Sequence, residues 1–161
     1  MRCCAILVLV LLIACNPKAP EKEKPVNLTE EKMALIKTDE AFSNMSVKKG
    51  MKAAFMEYID SNGVMLRPGY VPLIGASAID YLLQANDTGF TLSWKPQTAF
   101  VSQAAEMGYT YGIYALALNQ NDSLSFGTYV SIWKKQKDGT WKFVLDSGNE
   151  GLNINMNHPP P

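Results

Sequence analysis

The first half of the chain's central region has the hydrophobic period of helices. In NLTEEKMALIKTDEAFSNM, residues 27–45, apolar residues recur at helical spacing, and Asp39 falls on the same face as Leu35 and Phe42. Thr29 is a suitable N-cap, and the two glutamates that follow it favour the start of a helix. The same period predicts a second helix over MKAAFMEYI, residues 51–59, and a third over ASAIDYLLQA, residues 76–85. A short strand, GVMLRPG, is predicted between them.

From Phe90 onward the pattern changes to an alternation of apolar and polar residues, which is typical of strands. Helices followed by a run of antiparallel strands indicate an α+β fold, with three N-terminal helices covering one face of the sheet. Glycines inside strands mark bends, so Gly108, Gly112 and Gly127 predict a strongly curved, mostly antiparallel sheet that forms a cone. A cavity inside such a cone is the first place to expect a ligand. The strands are predicted over FTLSWKP, TAFVSQAAEM, YTYGIYALAL, FGTYVSIWKK and TWKFVLD.

The N-terminus reads as an export signal. MRCCAILVLVLLIAC has one arginine before an apolar run that is too short to span a bilayer, which needs about 20 apolar residues. The residues Leu-Ile-Ala-Cys at 12–15 resemble a bacterial lipobox, which predicts a signal peptide over 1–14 and a lipid on Cys15; an ordinary signal peptide is the alternative. By resemblance to sorting rules, Asn16 favours the outer membrane over the inner membrane. Localisation in the cell envelope is therefore expected.

Composition divides the rest of the chain. Residues 15–27 are rich in proline and charge and predict a lipidated, disordered tether, whereas residues 28–152 have the size of one domain. Residues 153–161 predict a flexible tail that holds His158, the one histidine of the sequence. Lys and Arg balance Asp and Glu at fifteen each, and no basic patch appears, so nucleic acid is not an expected partner.

The domain contains neither histidine nor cysteine, because all three cysteines lie at or before residue 15. Triad hydrolysis and histidine- or thiolate-bound metal sites are thereby excluded from the domain. The carboxylates are scattered without ligand spacing, and no glycine-rich phosphate loop is present. No metal and no cofactor are therefore expected.

Several segments together resemble a known family. In order and spacing they are similar to the SnoaL-like branch of the nuclear-transport-factor-like superfamily, in particular to its secreted and lipoprotein members of unassigned function. The resemblance implies a cone-shaped α+β fold, a cystatin-like barrel that is often dimeric through its sheet. Enzymes of the superfamily, which include isomerase-like and cyclase-like proteins, use a pocket carboxylate to move a proton next to a carbonyl. The segments are TDEAFSNMSVKKGMKAAFMEYIDSNGVMLRPG, PLIGASAI, LSWKP, GYTYGIY and GTYVSIWKKQKDGTWKFVLD.

Two carboxylates match the family's pattern and are the candidate catalytic residues. Asp39 lies in the helix-one motif DEAF, and Asp60 matches the acid that ends helix two. A catalytic carboxylate must be shielded from water and needs an oxyanion donor nearby. Alternatively, Asp39 is a buried acid that fixes helix against sheet, and Asp60 caps a turn.

Candidate ligand-binding residues are mainly aromatic. Within YTYGIYAL, Tyr111 and Tyr114 lie on opposite strand faces, so only one of them can face the cavity. Arg67 could hold a carboxylate or phosphate bidentately, or it could pair with a local acid such as Glu57 or Asp60. Each aromatic residue could instead belong to the core. The full candidate set is Tyr58, Arg67, Trp94, Tyr111, Tyr114, Tyr129 and Trp133.

Three functions remain open from the sequence. The first is binding of a small, partly apolar ligand in an aromatic cavity without turnover. The second is proton transfer by an isomerase-like or cyclase-like enzyme with Asp39 as the base. The third is a structural role, in which the sheet forms a homodimer or docks an envelope partner.

Overall fold

The structure is a computed structural model, and it describes residues 25–120 and 123–152. The predicted signal peptide, Cys15 and the tail with His158 lie outside the described residues, as does most of the predicted tether. Among the residues that are described, no helix is long and apolar enough to cross a membrane.

Three helices form where the helical period predicts them. They are α1 (Leu28–Lys49), α2 (Met51–Tyr58) and α3 (Ala76–Gln84). The side chain of Asn27, rather than that of Thr29, caps α1, because its oxygen accepts from the backbone N–H groups of Thr29 and Glu30. Gly50 separates α1 from α2 at a φ of 91°, which a residue with a Cβ rarely adopts.

Six strands form one mixed, open sheet. They are β1 (Ile59–Leu66), β2 (Leu73–Ile74), β3 (Phe90–Val101), β4 (Met107–Leu118), β5 (Leu124–Lys135) and β6 (Trp141–Glu150), in the spatial order β2-β1-β6-β5-β4-β3. All neighbouring pairs are antiparallel except β1 and β6, which run parallel. The α+β class with a mostly antiparallel sheet is confirmed.

The strand that follows α3 differs from the sequence prediction. The segments FTLSWKP and TAFVSQAAEM were expected as two strands, but residues 90–101 form one continuous strand and the chain turns only after it. Its register shifts between Pro96 and Thr98. Because β3 is an edge strand, a proline without an N–H is tolerated there at a bulge.

Gly108 and Gly112, which were predicted to mark a bend in the sheet, lie at two close contacts of β4. Neither has a positive φ, and the register shift of this strand pair lies on β3, opposite Gly112. Both glycines permit close approach. A Cβ at Gly108 would lie 2.6 Å from Cδ2 of Leu35, and one at Gly112 would lie 2.1 Å from the carbonyl oxygen of Lys95.

Helix α1 covers the edge strand β3 with serine side chains. The hydroxyl of Ser43 donates to the carbonyl of Trp94 at 2.7 Å and accepts from its N–H at 2.8 Å. Ser46 donates to the carbonyl of Leu92 at 2.7 Å. These bonds satisfy backbone groups that an edge strand otherwise leaves open, and they fix α1 against the sheet.

The hydrophobic core lies between the helices and the inner face of the sheet. Phe42 is at its centre, with ring centroids 4.8 Å from Phe55, 4.5 Å from Trp94 and 5.6 Å from Phe143. Toward the last residues of β4, this core opens into a cavity, which is the candidate site.

Candidate functional site

The cavity has a volume of about 380 Å³ and lies between α2, α3 and the inner face of the sheet. Most of its wall is aromatic or aliphatic, and the polar groups are few. Four predicted ligand-binding residues line it: Arg67, Trp94, Tyr114 and Tyr129. Apolar wall residues include Phe42, Met51, Phe55, Met65, Tyr81, Phe90, Leu92 and Leu116, and polar ones include Asp146, Ser147 and Glu150.

Asp39 lies behind this wall, with none of its surface exposed. Its Oδ1 accepts from Nε1 of Trp94 at 2.7 Å, and its Oδ2 accepts from the hydroxyl of Tyr129 at 2.7 Å. Asp39 therefore ties α1 to β3 and β5, and it is not among the residues that line the cavity.

Burial governs the ionisation of this group. Loss of solvent raises the pKa of Asp39, and the charge of Asp146 adds to the rise, while the hydrogen bonds from Tyr129, Trp94 and Thr110 oppose it. Burial, together with the nearby Asp39, also raises the pKa of the Tyr129 phenol. Tyr129 therefore stays protonated and donates its proton to Asp39, which leaves only its oxygen lone pairs for a ligand.

The cavity also contains an ion pair that joins β1 to β6. Nη2 of Arg67 donates to Oδ1 of Asp146 at 2.6 Å, and Nη1 donates to the carbonyls of Leu66 and Asp146 at 2.9 and 3.2 Å. The second carboxylate oxygen of Asp146 accepts from the hydroxyl of Ser131 at 2.7 Å. The expectation that Arg67 pairs with Glu57 or Asp60 is wrong, because its partner is Asp146, and Glu57 lies beside Lys142 instead.

The two faces of strand β4 separate Tyr111 from Tyr114, and only Tyr114 faces inward. Thr110, Gly112 and Tyr114 lie on the inner face, and Tyr114 lines the cavity. Tyr111 lies on the outer face with 38% of its surface exposed, so it does not belong to the cavity. The Tyr114 ring rests on glycine, since a Cβ at Gly127 would lie 2.3 Å from its Cζ.

Two further aromatic candidates lie in other environments. Trp133 is fully buried in the core, and its Nε1 donates to the hydroxyl of Thr110 at 2.8 Å. Tyr58 stacks on Phe42 with ring centroids 4.8 Å apart and borders a separate surface groove beside α1. Neither lines the aromatic cavity.

Asp60 has the local role that its turn sequence allowed. Its Oδ1 accepts from the backbone N–H of Asn62 at 2.9 Å, and its Oδ2 accepts from Nε2 of Gln136 at 3.0 Å. It shares no hydrogen bond with Asp39 and does not line the cavity. Only one of the two candidate carboxylates is therefore close to the cavity wall.

Sequence reasoning missed Asp146, Ser131 and Ser147. Asp146 ends the segment TWKFVLD, where an acid after a hydrophobic strand reads as solvated, and only the pairing of β1 with β6 brings it to Arg67. One signal was available, since a single arginine in the domain requires an acidic partner if it is buried. Within the described ranges, no group of three or more His, Cys, Asp or Glu side chains is placed to hold a metal ion.

Comparisons with known proteins extend this picture at the level of the fold. No protein-family model and no curated protein matches the sequence. Among solved structures, a ketosteroid isomerase-like protein from Erwinia carotovora atroseptica superposes with a TM-score of 0.60 at 11% identity, covering 77% of this chain and 98% of that one.

Two further structures agree with the first. An NTF2-like protein with a cystatin-like fold from Novosphingobium aromaticivorans gives a TM-score of 0.59 at 13% identity, covering 75% of this chain and 82% of its own. An NTF2-like superfamily protein from Salmonella enterica gives a TM-score of 0.59 at 10% identity, covering 82% of this chain and 99% of its own. The chain therefore has the cystatin-like α+β fold of the NTF2-like superfamily, as its sequence resemblance implied.

Proposed function

We propose that this chain binds a small, partly apolar molecule in its aromatic cavity without turning it over. The observation that carries the proposal is the cavity itself, with about 380 Å³ of space behind mainly apolar walls. Ligand sites commonly measure roughly 300–1,000 Å³ and combine such walls with a few polar groups. The bound molecule would be of modest size, with one polar end.

The position of Asp39 supports binding over proton transfer. A general base must come within about 3 Å of the proton that it removes, directly or through one water. Both Asp39 oxygens already accept hydrogen bonds, and the carboxylate stands behind Trp94 and Tyr129. Its geometry is that of a structural acid that holds two cavity walls.

The proton-transfer alternative has one observation in its favour. Asp39 is buried and shares a hydrogen bond with Tyr129, whose ring lines the cavity, so a proton could pass between a ligand and Asp39 through the phenol. Turnover of a carbonyl substrate that is abolished by Asp39→Asn in a folded protein would favour this alternative.

The location of the domain is proposed from the N-terminal sequence alone. The lipobox at residues 12–15 supports a lipid on Cys15, which would attach the chain to the cell envelope, with the outer membrane favoured over the inner membrane. Residues 15–27 would then hold the domain a short distance from the bilayer.

A homodimer through the sheet is a second candidate role, and the outer sheet face favours it. Phe100, Tyr109, Tyr111 and Ile113 are between 38% and 49% exposed, and the rings of Phe100 and Tyr109 stack at 4.9 Å. Neighbouring exposed apolar side chains of this kind mark interaction surfaces. A second copy of the chain would cover this face without closing the cavity, which lies on the other side.

The binding proposal is tested by filling the cavity. Native mass spectrometry of the purified chain should detect a carried-through small molecule, and Leu116→Trp should remove it because the indole occupies the cavity. Leu118→Trp is the matched control, since Leu118 is 39% exposed on the same strand and does not line the cavity. A wild-type chain that carries no molecule and takes up no added apolar probe would contradict the proposal.

A further inference from the structure

The hydrogen bonds of Arg67 leave one edge of its guanidinium without a protein acceptor. Nη1 uses both of its hydrogens on the carbonyls of Leu66 and Asp146, and Nη2 uses one on Oδ1 of Asp146. An arginine has five N–H donors in a fixed planar arrangement. The two that have no acceptor among the described residues are Nε–H and the second hydrogen of Nη2, which lie on the same edge.

Arg67 belongs to the cavity site. Arg67 lines the cavity, its side chain is only 18% exposed, and its guanidinium carbon lies 5.4 Å from the centroid of the Phe55 ring, another wall residue. Asp146 fixes the adjoining edge, formed by Nη1 and Nη2, and its carboxylate is held in turn by Ser131. The guanidinium is therefore immobilised before any ligand arrives, which lowers the entropy cost of binding.

The other polar groups of the cavity differ in the hydrogen bonds that they can still form with a ligand. The hydroxyl of Tyr114 has no hydrogen-bond partner within the described ranges, so it is a further free donor. The hydroxyl proton of Tyr129 is committed to Asp39, and both oxygens of Asp146 are already engaged. Glu150, the other carboxylate of the lining, is exposed at the end of β6 and accepts no hydrogen bond within the described ranges, so it remains a free acceptor. Around Arg67, by contrast, the free groups favour a ligand that accepts hydrogen bonds over one that donates them.

We propose that the cavity ligand is a monocarboxylic acid with an aromatic or branched apolar body, whose carboxylate is held bidentately by Nε and Nη2 of Arg67. Two parallel N–H donors on one edge match the two oxygens of a planar carboxylate. The apolar body then lies against Phe42, Phe55 and Trp94. The inference rests on the proposed binding function and specifies its ligand class.

The expected preference for a carboxylate over its amide can be estimated from the charges near Arg67. Asp146 already neutralises Arg67, and the exposed Glu150 adds a further negative charge to the lining, so recognition depends on the fit of the two donors and gains nothing from net charge. A charge-assisted hydrogen bond exceeds a neutral one by an amount that corresponds to roughly tenfold in affinity. We therefore expect a carboxylate to bind about tenfold more tightly than its primary amide.

The experiment compares three probes that share one apolar body: naphthoate, naphthamide and naphthylmethylamine. Their affinities for the full chain are measured by calorimetry or ligand-observed NMR at neutral pH. Naphthoate should bind most tightly and naphthylmethylamine most weakly. Leu116→Trp should weaken all three, which places binding in the cavity, whereas Leu118→Trp should weaken none.

Arg67→Lys tests the planar edge itself. The lysine keeps a positive charge beside Asp146 but lacks two parallel donors, so the preference for naphthoate over naphthamide should fall to near one. If this variant does not fold, Tyr114→Phe supplies the second measurement, and it should reduce the naphthoate preference partially.

Each outcome bears on a different proposal. If naphthamide or naphthylmethylamine binds as tightly as naphthoate, the carboxylate inference is overturned while the binding function stands. An unchanged naphthoate preference in folded Arg67→Lys also overturns it. If none of the three probes binds the wild-type chain, both the carboxylate inference and the proposed function fail.

Discussion

The indole Nε1 of Trp94 donates a hydrogen bond of 2.7 Å to Oδ1 of Asp39, 55 residues earlier in the chain. With the bond from Tyr129 to Oδ2, it makes one buried carboxylate the link between the first helix and two walls of the cavity. This arrangement gives Asp39 a measurable structural role that is separable from catalysis.

Replacing Asp39 by asparagine should destabilise the fold and leave binding largely intact. The amide can accept from only one of the two donors, and the other meets an N–H group, at a cost of about 1–3 kcal/mol in the free energy of unfolding. Chemical denaturation measures this cost, and Glu40→Gln, at the exposed neighbouring position, should show almost none. An Asp39→Asn protein of wild-type stability would argue against the structural role.

The stability of the protein should depend on pH in the way expected for a buried acid whose pKa is raised. Burial lifts the pKa of Asp39 above its ordinary value of 3.8, so the folded state keeps this proton to higher pH than the unfolded chain does. The contribution of Asp39 to stability is then greatest at acidic pH, falls as the pH rises through the raised folded pKa, and is constant above it.

The difference in unfolding free energy between wild type and Asp39→Asn, measured from about pH 4 to pH 8, isolates this contribution because other groups largely cancel. The difference should decrease as pH rises. An increase with pH would mean that the hydrogen bonds from Tyr129 and Trp94 outweigh burial and that the folded pKa is lowered.

Gly127 should tolerate no side chain. A Cβ there would lie 2.2 Å from the carbonyl oxygen of Asn149 and 2.3 Å from Cζ of Tyr114, so Gly127→Ala should displace Tyr114 toward the cavity. We expect a loss of about 1–3 kcal/mol in stability together with weaker probe binding. Gly89→Ala is the control, because a Cβ at Gly89 meets nothing within 4 Å. Equal melting temperatures for the two variants would contradict the predicted clash.

The proposed dimer face is tested with a charge at its centre. Tyr111→Glu should shift the chain from dimer to monomer in analytical ultracentrifugation, because two buried carboxylates would face each other across the interface. Val71→Glu introduces the same charge at a position that is 79% exposed outside the sheet, and it should leave the mass unchanged. A wild-type chain that sediments as a monomer at all concentrations would rule out this role.

The lipid anchor is tested in cells. Cys15→Ser should block lipid attachment and move the chain from the membrane fraction to the soluble fraction or leave an uncut precursor, whereas Cys3→Ser and Cys4→Ser should have no effect. Metabolic labelling with a fatty acid analogue gives a direct reading. Retention of label in Cys15→Ser would show that the lipid is attached elsewhere.

Local sequence patterns predicted most of the helices and strands, because the residues that favour each element lie close together in the chain. The helical period up to Gln84 and the alternation from Phe90 predicted three helices and the sheet. The division predicted between residues 90 and 107 failed because Pro96 reads as a strand end although an edge strand can pass through it at a bulge.

The sequence by itself determined the order of the elements, the lack of histidine and cysteine in the domain, and the burial of Asp39 on an apolar helix face. Only the tertiary structure decided which tyrosine faces the cavity and which acid holds Arg67. A strand's alternation separates Tyr111 from Tyr114 but does not say which side is inside, because that depends on what packs on the sheet. Likewise, Arg67 and Asp146 meet only because β1 runs parallel to β6, a pairing between segments 79 residues apart that no local pattern encodes.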